Sequence, residues 1–200
     1  MNALVLMDTP EHHWVNEYRA GNAVALDNLI EHTRRPLYAF INKMMEGHAD
    51  ADEIFQETWV RAIQNLNRYR DDKLLSWLFR IAHNLIIDRI RKRTRLTSFE
   101  QASTEEGQPF AERLAEPSPN PADTAASNDL QAHIGAAVQQ LPPEQREVFL
   151  LRTEADLPFK EIARIQGVSI NTALARMQYA VHKLRSELRS RNLAPESAHE

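Results

Sequence analysis

Phe159-Lys160-Glu161-Ile162-Ala163-Arg164-Ile165-Gln166-Gly167-Val168-Ser169-Ile170-Asn171-Thr172 reads as a short helix, a turn and the start of a second helix. Pro158 sets φ for a helix start, and the apolar spacing predicts a first helix over Pro158 to Gln166. Gly167 supplies the turn, Ser169 is positioned as an N-cap, and the second helix runs from Ile170 to about Arg189. On that helix Ile170, Ala173, Met177, Ala180, Val181 and Leu184 form the stripe expected to be buried. The open side then holds Asn171, Thr172, Ala175, Arg176, Gln178, Tyr179 and Lys183. A plain helical hairpin would share this spacing. The small Ala163 where the helices touch, the turn glycine and the serine cap favour a helix-turn-helix, whose second helix fits the major groove. Asn and Gln pair bidentately with adenine, Arg with guanine, and Lys or Ser with phosphate.

Upstream, Pro143 sits as a first helical residue with Glu144 and Glu147 in the first turns, predicting a helix to about Thr153. Before that the texture changes. From Thr97 to about Asn128 the chain carries Gln108-Pro109, Pro117-Ser118-Pro119-Asn120-Pro121 and the acids Glu105, Glu106, Glu112, Glu116 and Asp123. Such a stretch has little to bury and reads as a linker. Ahead of it, three helices are expected. Val24 to Met45 is the first, with Pro36 able to kink or divide it and Gly47 ending it. Asp50 to Leu66 is the second, with Ile54, Phe55, Trp59, Ala62, Ile63 and Leu66 inward and Asp52, Glu53, Gln56 and Glu57 outward. The third runs from about Leu74 into Arg93. There Leu74, Leu78, Ile81 and Leu85 fall on one side and Trp77, Arg80, His83, Asn84, Ile87 and Arg91 on the other. No convincing period-two strand occurs. The expected fold is all-α: two small helical domains joined by a flexible, acidic, proline-rich linker.

The net charge of −4 conceals an uneven distribution. Residues 73–99 hold seven basic side chains against one acidic, and residues 144–192 hold nine against six. Residues 100–143 hold one against seven, so an acidic bridge separates two basic islands. Tyr69 and Trp77 beside Arg80, Arg89, Arg91, Lys92, Arg93 and Arg95 combine stacking with phosphate tracking, as single-stranded DNA binding requires. A solvated basic helix end is the plainer alternative. With no cysteine, disulfides, thiolate catalysis and cysteine-based zinc sites are excluded, and the cytoplasm is expected. No secretory signal and no span of roughly 20 apolar residues is expected. No histidine pair has zinc spacing, and neither a Ser-His-Asp set nor a phosphate-cradling glycine loop is present. Neither enzyme activity, a metal nor a cofactor is therefore expected.

Three segments carry a family resemblance. Asp50-Ala51-Asp52-Glu53-Ile54-Phe55-Gln56-Glu57-Thr58-Trp59-Val60-Arg61-Ala62 resembles the core-polymerase-binding helix of extracytoplasmic-function (ECF) sigma factors, members of the sigma-70 family. Trp77-Leu78-Phe79-Arg80-Ile81-Ala82-His83-Asn84-Leu85-Ile86-Ile87-Asp88-Arg89-Ile90-Arg91 resembles their promoter-melting helix. Leu141-Pro142-Pro143-Glu144-Gln145-Arg146-Glu147-Val148-Phe149-Leu150-Leu151-Arg152 resembles the opening of their C-terminal domain, with the helix-turn-helix following at the family's spacing. The order of the three, across about residues 10 to 190, is more specific than any one of them.

The resemblance implies a sigma factor that binds the large subunits of core bacterial RNA polymerase and directs promoter-specific initiation. It implies region 2 in residues 1–96, a linker in 97–128, region 4 in 129–192 and a disordered tail in 193–200. Asp52, Glu53, Gln56 and Glu57 would dock on the polymerase. Tyr69, Trp77, Arg80, His83, Asn84 and Arg91 would meet the minus-ten promoter DNA. Ser169, Asn171, Thr172, Ala175, Arg176, Gln178 and Tyr179 would meet the minus-thirty-five element. An anti-sigma partner, often membrane-anchored in the family, would hold the chain inactive. Two departures stand out. The recognition helix lacks the family's lysine, serine and second arginine at Leu174, Ala175 and Tyr179. The Tyr69 to Trp77 loop is one residue shorter than usual, which leaves the identity of any captured base open. Outside the family reading stand a helix-turn-helix regulator acting without polymerase and a helical metal hydrolase using Asp50, Asp52, Glu53 and Glu57.

Overall fold

A computed structural model of the chain describes residues 10–45, 48–70, 73–101 and 132–190. Among these residues every regular element is helical. Most of the expected linker, the tail and Gly47 lie outside the described residues.

The N-terminal half holds α1 (Pro10–Arg19), α2 (Val24–Met45), α3 (His48–Asn65), one 3-10 turn (Leu66–Arg68) and α4 (Leu74–Gln101). Helix α1 was not anticipated. Gly21 leaves it at φ +98°, a left-handed conformation open to glycine, and the Val24 N–H then donates to Asn22 Oδ1 at 3.1 Å to start α2. Pro36 lies within a continuous α2 and does not divide it. α4 extends to Gln101, beyond the expected end near Arg93 and into the expected linker, because no proline or glycine interrupts it before Gly107.

Leu29, Leu37, Phe40 and Ile41 of α2 close on Trp59 and Ala62 of α3 and on Leu78, Phe79, Ala82 and Ile86 of α4. Phe40 and Phe79 meet edge to face with centroids 5.1 Å apart. The buried face of α4 is wider than the four residues expected, since Phe79, Ala82 and Ile86 join it while Ile81 stays half-buried. α2 and α3 both cover this helix, so it buries more than one stripe. Arg19 fastens α1 to the end of α3: its guanidinium donates to the carbonyls of Leu66 (2.8 Å) and Tyr69 (2.6 Å).

The C-terminal half holds α5 (132–139), α6 (Pro143–Thr153), α7 (Phe159–Gln166) and α8 (Ile170–Ser190). Pro143 starts α6 as expected. Gly167 is left-handed at φ +65°, its N–H closing on the carbonyls of Ala163 and Arg164. Ser169 caps α8: its Oγ accepts the Thr172 N–H at 3.0 Å. Ala163, Ala173, Ala180 and Leu184 are buried as the helix-turn-helix requires, whereas Ile170, expected in the buried stripe, is 46 % exposed. It stands in the first turn of α8, at the edge of that stripe.

The two halves share one apolar cluster, with α7 packed across α4 and α6 across α2. Polar groups stitch the seam. Lys43 Nζ lies 2.7 Å from Glu154, Gln139 Nε2 donates to the Lys43 carbonyl at 2.9 Å, and the buried Arg146 guanidinium reaches the carbonyls of Gln139, Leu141 and Met44.

Candidate nucleic-acid interface

The acidic face of α3 follows from helical spacing, which puts its apolar residues on α2 and α4 and leaves Asp52, Glu53, Gln56 and Glu57 outward. These four are not equivalent. Asp52 Oδ1 accepts the Tyr38 hydroxyl at 2.8 Å, a bond that raises the Tyr38 pKa above its ordinary value. Glu53 pairs with Arg89 of α4 at 2.5 Å; this hydrogen bond, then the Arg89 charge, holds its carboxyl below the usual range. Glu57 pairs with Arg61 at 2.8 Å, and Asp50 with Arg89 and Arg93. Arg89 thus joins Asp50 to Glu53, while Asp52 and Glu57 meet separate donors, Tyr38 and Arg61. Among the described residues no three His, Asp or Glu side chains converge as a metal site.

One turn further along, α3 and α4 open a basic groove. Arg61, Asn65, Arg68, Arg70, Arg80 and Asn84 line it, with the Trp77 indole, half-exposed, in its wall. Of these, Arg61, Asn65, Arg68 and Arg70 were not selected from the sequence, although the arginines flanking Tyr69 are a signal that charge counting finds. Tyr69 itself is buried and packs against Trp77 with centroids 5.0 Å apart. It braces the indole and, though mostly covered, also lines the groove. Trp77, Arg80 and Asn84 thus share the groove, while Arg91 stands exposed two turns further along α4.

His83 lies on the flank of α4 that meets the C-terminal half. Its Nδ1 is 2.6 Å from Glu147 Oε1, and its side chain is 15 % exposed. Glu147, expected only as an early-turn acid of α6, is wholly buried. Its second oxygen accepts Gln166 Nε2 at 2.7 Å, and Gln166 Oε1 accepts Arg176 at 2.8 Å. One chain of hydrogen bonds thus runs from α4 through α6 and α7 to α8. It takes His83 and Arg176, both expected on DNA, into a protein network. Arg176→Ala should accordingly lower thermal stability, by about 1.5 kcal/mol, the low end for a charged hydrogen bond because the side chain is only half-buried; unchanged melting with altered promoter choice would contradict that placement.

The rest of the minus-thirty-five set stays outward. Asn171, Thr172, Gln178 and Tyr179 are exposed, Ala175 is half-exposed, and Ser169 is spent on the cap. A second cleft, lined by Arg70, Lys73, Trp77 and Arg80 with Glu161, Arg164 and Ile165 of α7, joins the two halves.

Fold and site together define a two-domain helical DNA-binding protein, with a basic aromatic groove in one half and a helix-turn-helix in the other. Residues 29–96 match sigma-70 region 2 and residues 132–184 match sigma-70 region 4. The chain is 31 % identical over 142 residues to the ECF RNA polymerase sigma factor EcfG of Rhodopseudomonas palustris, covering 70 % of this chain and 72 % of that one. It is 28 % identical over 178 residues to ECF sigma factor SigW of Bacillus subtilis, covering 88 % of this chain and 95 % of the relative. With SigE of Mycolicibacterium smegmatis the identity is 29 % over 163 residues, 82 % of this chain but 60 % of that protein. Among solved structures, the sigma factor RpoE of Bartonella quintana, in complex with the anti-sigma factor NepR, superposes with TM-score 0.66 at 26 % identity, covering 82 % of this chain and 96 % of that one. CnrH, in complex with the cytosolic domain of CnrY, shares the fold at TM-score 0.65 and 21 % identity, over 91 % of this chain and 99 % of that one. The chain belongs to the ECF group of the sigma-70 family.

Proposed function

We propose that this sigma factor docks on core RNA polymerase through the outer face of α3, opens the minus-ten DNA with the α3–α4 groove and reads the minus-thirty-five duplex with α8. The observation that carries this reading is the basic groove around Trp77, one turn from an acidic helix face on the same small domain. A stand-alone regulator needs a helix-turn-helix but has no use for such a groove. An acidic face offers fast, oriented encounter with a basic partner. We take residues 1–96 as the polymerase and minus-ten unit, 97–128 as the connector and 129–192 as the minus-thirty-five unit. The chain works in the cytoplasm, as a binding protein and not an enzyme. Among the described residues no helix is long and apolar enough to cross a membrane. Control by an anti-sigma partner is supported by the RpoE relative, whose structure holds one.

Gel filtration of the chain with core polymerase tests the docking face. The wild type should co-elute at low micromolar concentration. Asp52→Lys with Glu57→Lys should weaken the complex roughly tenfold or more, with retained melting temperature, because both side chains are exposed or half-exposed and a like charge would then face a basic partner. Unchanged co-elution would move the docking face elsewhere.

A further inference from the structure

α8 presents an unusual surface for a DNA-reading helix. Among the described residues five large hydrophobic side chains are exposed, and three of them stand on its first three turns: Ile170 (46 %), Leu174 (38 %) and Tyr179 (66 %). At 100° per residue, Asn171, Leu174, Ala175 and Gln178 fall within an arc of about 100°, centred opposite the buried Ala173, Ala180 and Leu184. No guanidinium shares that arc near the turn. Arg176 lies on the flank and is held by Gln166. Arg185 returns to the same side only about 16 Å further along, where a groove-bound helix has moved toward the backbone. Lys183 is drawn back to the Gln140 carbonyl at 2.8 Å.

Over its first turns the arc therefore offers two amides and two apolar side chains, with the exposed His182 following one turn beyond Gln178. Amides pair bidentately with the adenine N6 and N7 edge, and small apolar groups pack on the thymine methyl; guanine recognition calls for Arg or Lys, which the first turns of this arc lack. We infer that the minus-thirty-five face reads A·T pairs, Asn171 and Gln178 through adenine edges, with Leu174 as the specificity residue that packs on a thymine methyl. The inference rests on the proposal that α8 reads duplex promoter DNA. A protein ligand would also accept Leu174 and Tyr179. The observation favouring DNA is that Leu174 sits between the two amides, in the first turns after a helix-turn-helix turn.

The test uses holoenzyme assembled from the full chain and core polymerase, transcribing a promoter library randomised through the minus-thirty-five region. Selected members should carry A·T pairs at the contacted positions. Replacing thymine by uracil in a selected element removes only the methyl and should lower initiation roughly fourfold per contacted methyl. Leu174→Ala should erase that thymine-over-uracil preference, and Leu174→Met should keep most of it, with all three chains melting alike because the side chain is exposed. Selection of G·C pairs, or equal use of uracil and thymine by the wild type, overturns the inference. So does a Leu174→Ala chain that keeps the methyl preference but loses binding to a protein regulator. If the wild-type holoenzyme selects no promoter at all, the sigma-factor reading of α8 itself fails, a result distinct from a wrong base preference.

Discussion

Glu147→Ala should cost about 3–5 kcal/mol of stability, the largest effect of any polar substitution in the described residues. The carboxylate is wholly buried, and both its oxygens are used, one by His83 and one by Gln166. Truncation leaves a buried amide and an imidazole without their acceptor and opens a void beneath α7. Glu147→Gln keeps the shape and one acceptor oxygen, so its loss should be smaller, about 1–2 kcal/mol. Thermal unfolding followed by circular dichroism measures both. Because His83 belongs to α4 and Glu147 to α6, a double-mutant cycle with His83→Ala should give a coupling of about 1 kcal/mol or more. A coupling near zero would mean that the two halves do not meet through this pair.

Trp77→Ala should reduce open-complex formation by roughly 5- to 150-fold, the equivalent of about 1–3 kcal/mol for one lost base-stacking platform, while binding to core polymerase changes little. Trp77 is half-exposed, lies against the buried Tyr69 and shares its groove with four arginines. Trp77→Phe should recover much of the opening, since a smaller ring still stacks. If instead both variants lose thermal stability in proportion to promoter opening, the indole is only a packing residue.

What the sequence made legible was whatever periodicity marks. α2, α3, α6, α7 and α8 were predicted nearly to their ends because apolar residues recur at three and four positions and because Gly167, Ser169 and Pro143 have local conformational preferences. α1 escaped because Glu11, His12 and His13 break the pattern and only Val15 is fully buried. The acidic and basic faces were legible as charge placed opposite an apolar stripe. The network joining His83, Glu147, Gln166 and Arg176 was not, because a buried polar side chain looks like any surface residue until its partner, 64 positions away for His83 and Glu147, is brought beside it. The packing of Tyr69 was not legible either, for a related reason. An aromatic next to arginines resembles a stacking platform, and only its burial under Trp77 shows it as the support.

That distinction also changes how the DNA contacts divide. The minus-ten set we propose centres on the groove residues Trp77, Arg80 and Asn84 with Arg61, Arg68 and Arg70, while His83 bonds Glu147 in the seam between the halves. Arg176 is engaged by Gln166, and the minus-thirty-five reading we infer falls to the amides and to Leu174.

Permanganate footprinting of a duplex promoter is the most direct test, because the reagent oxidises only thymines that have left the stack. With the chain and core polymerase together, thymines of the minus-ten region should become reactive, and with either component alone they should stay protected. Reactive thymines without core polymerase, or protected ones with both, would contradict the account.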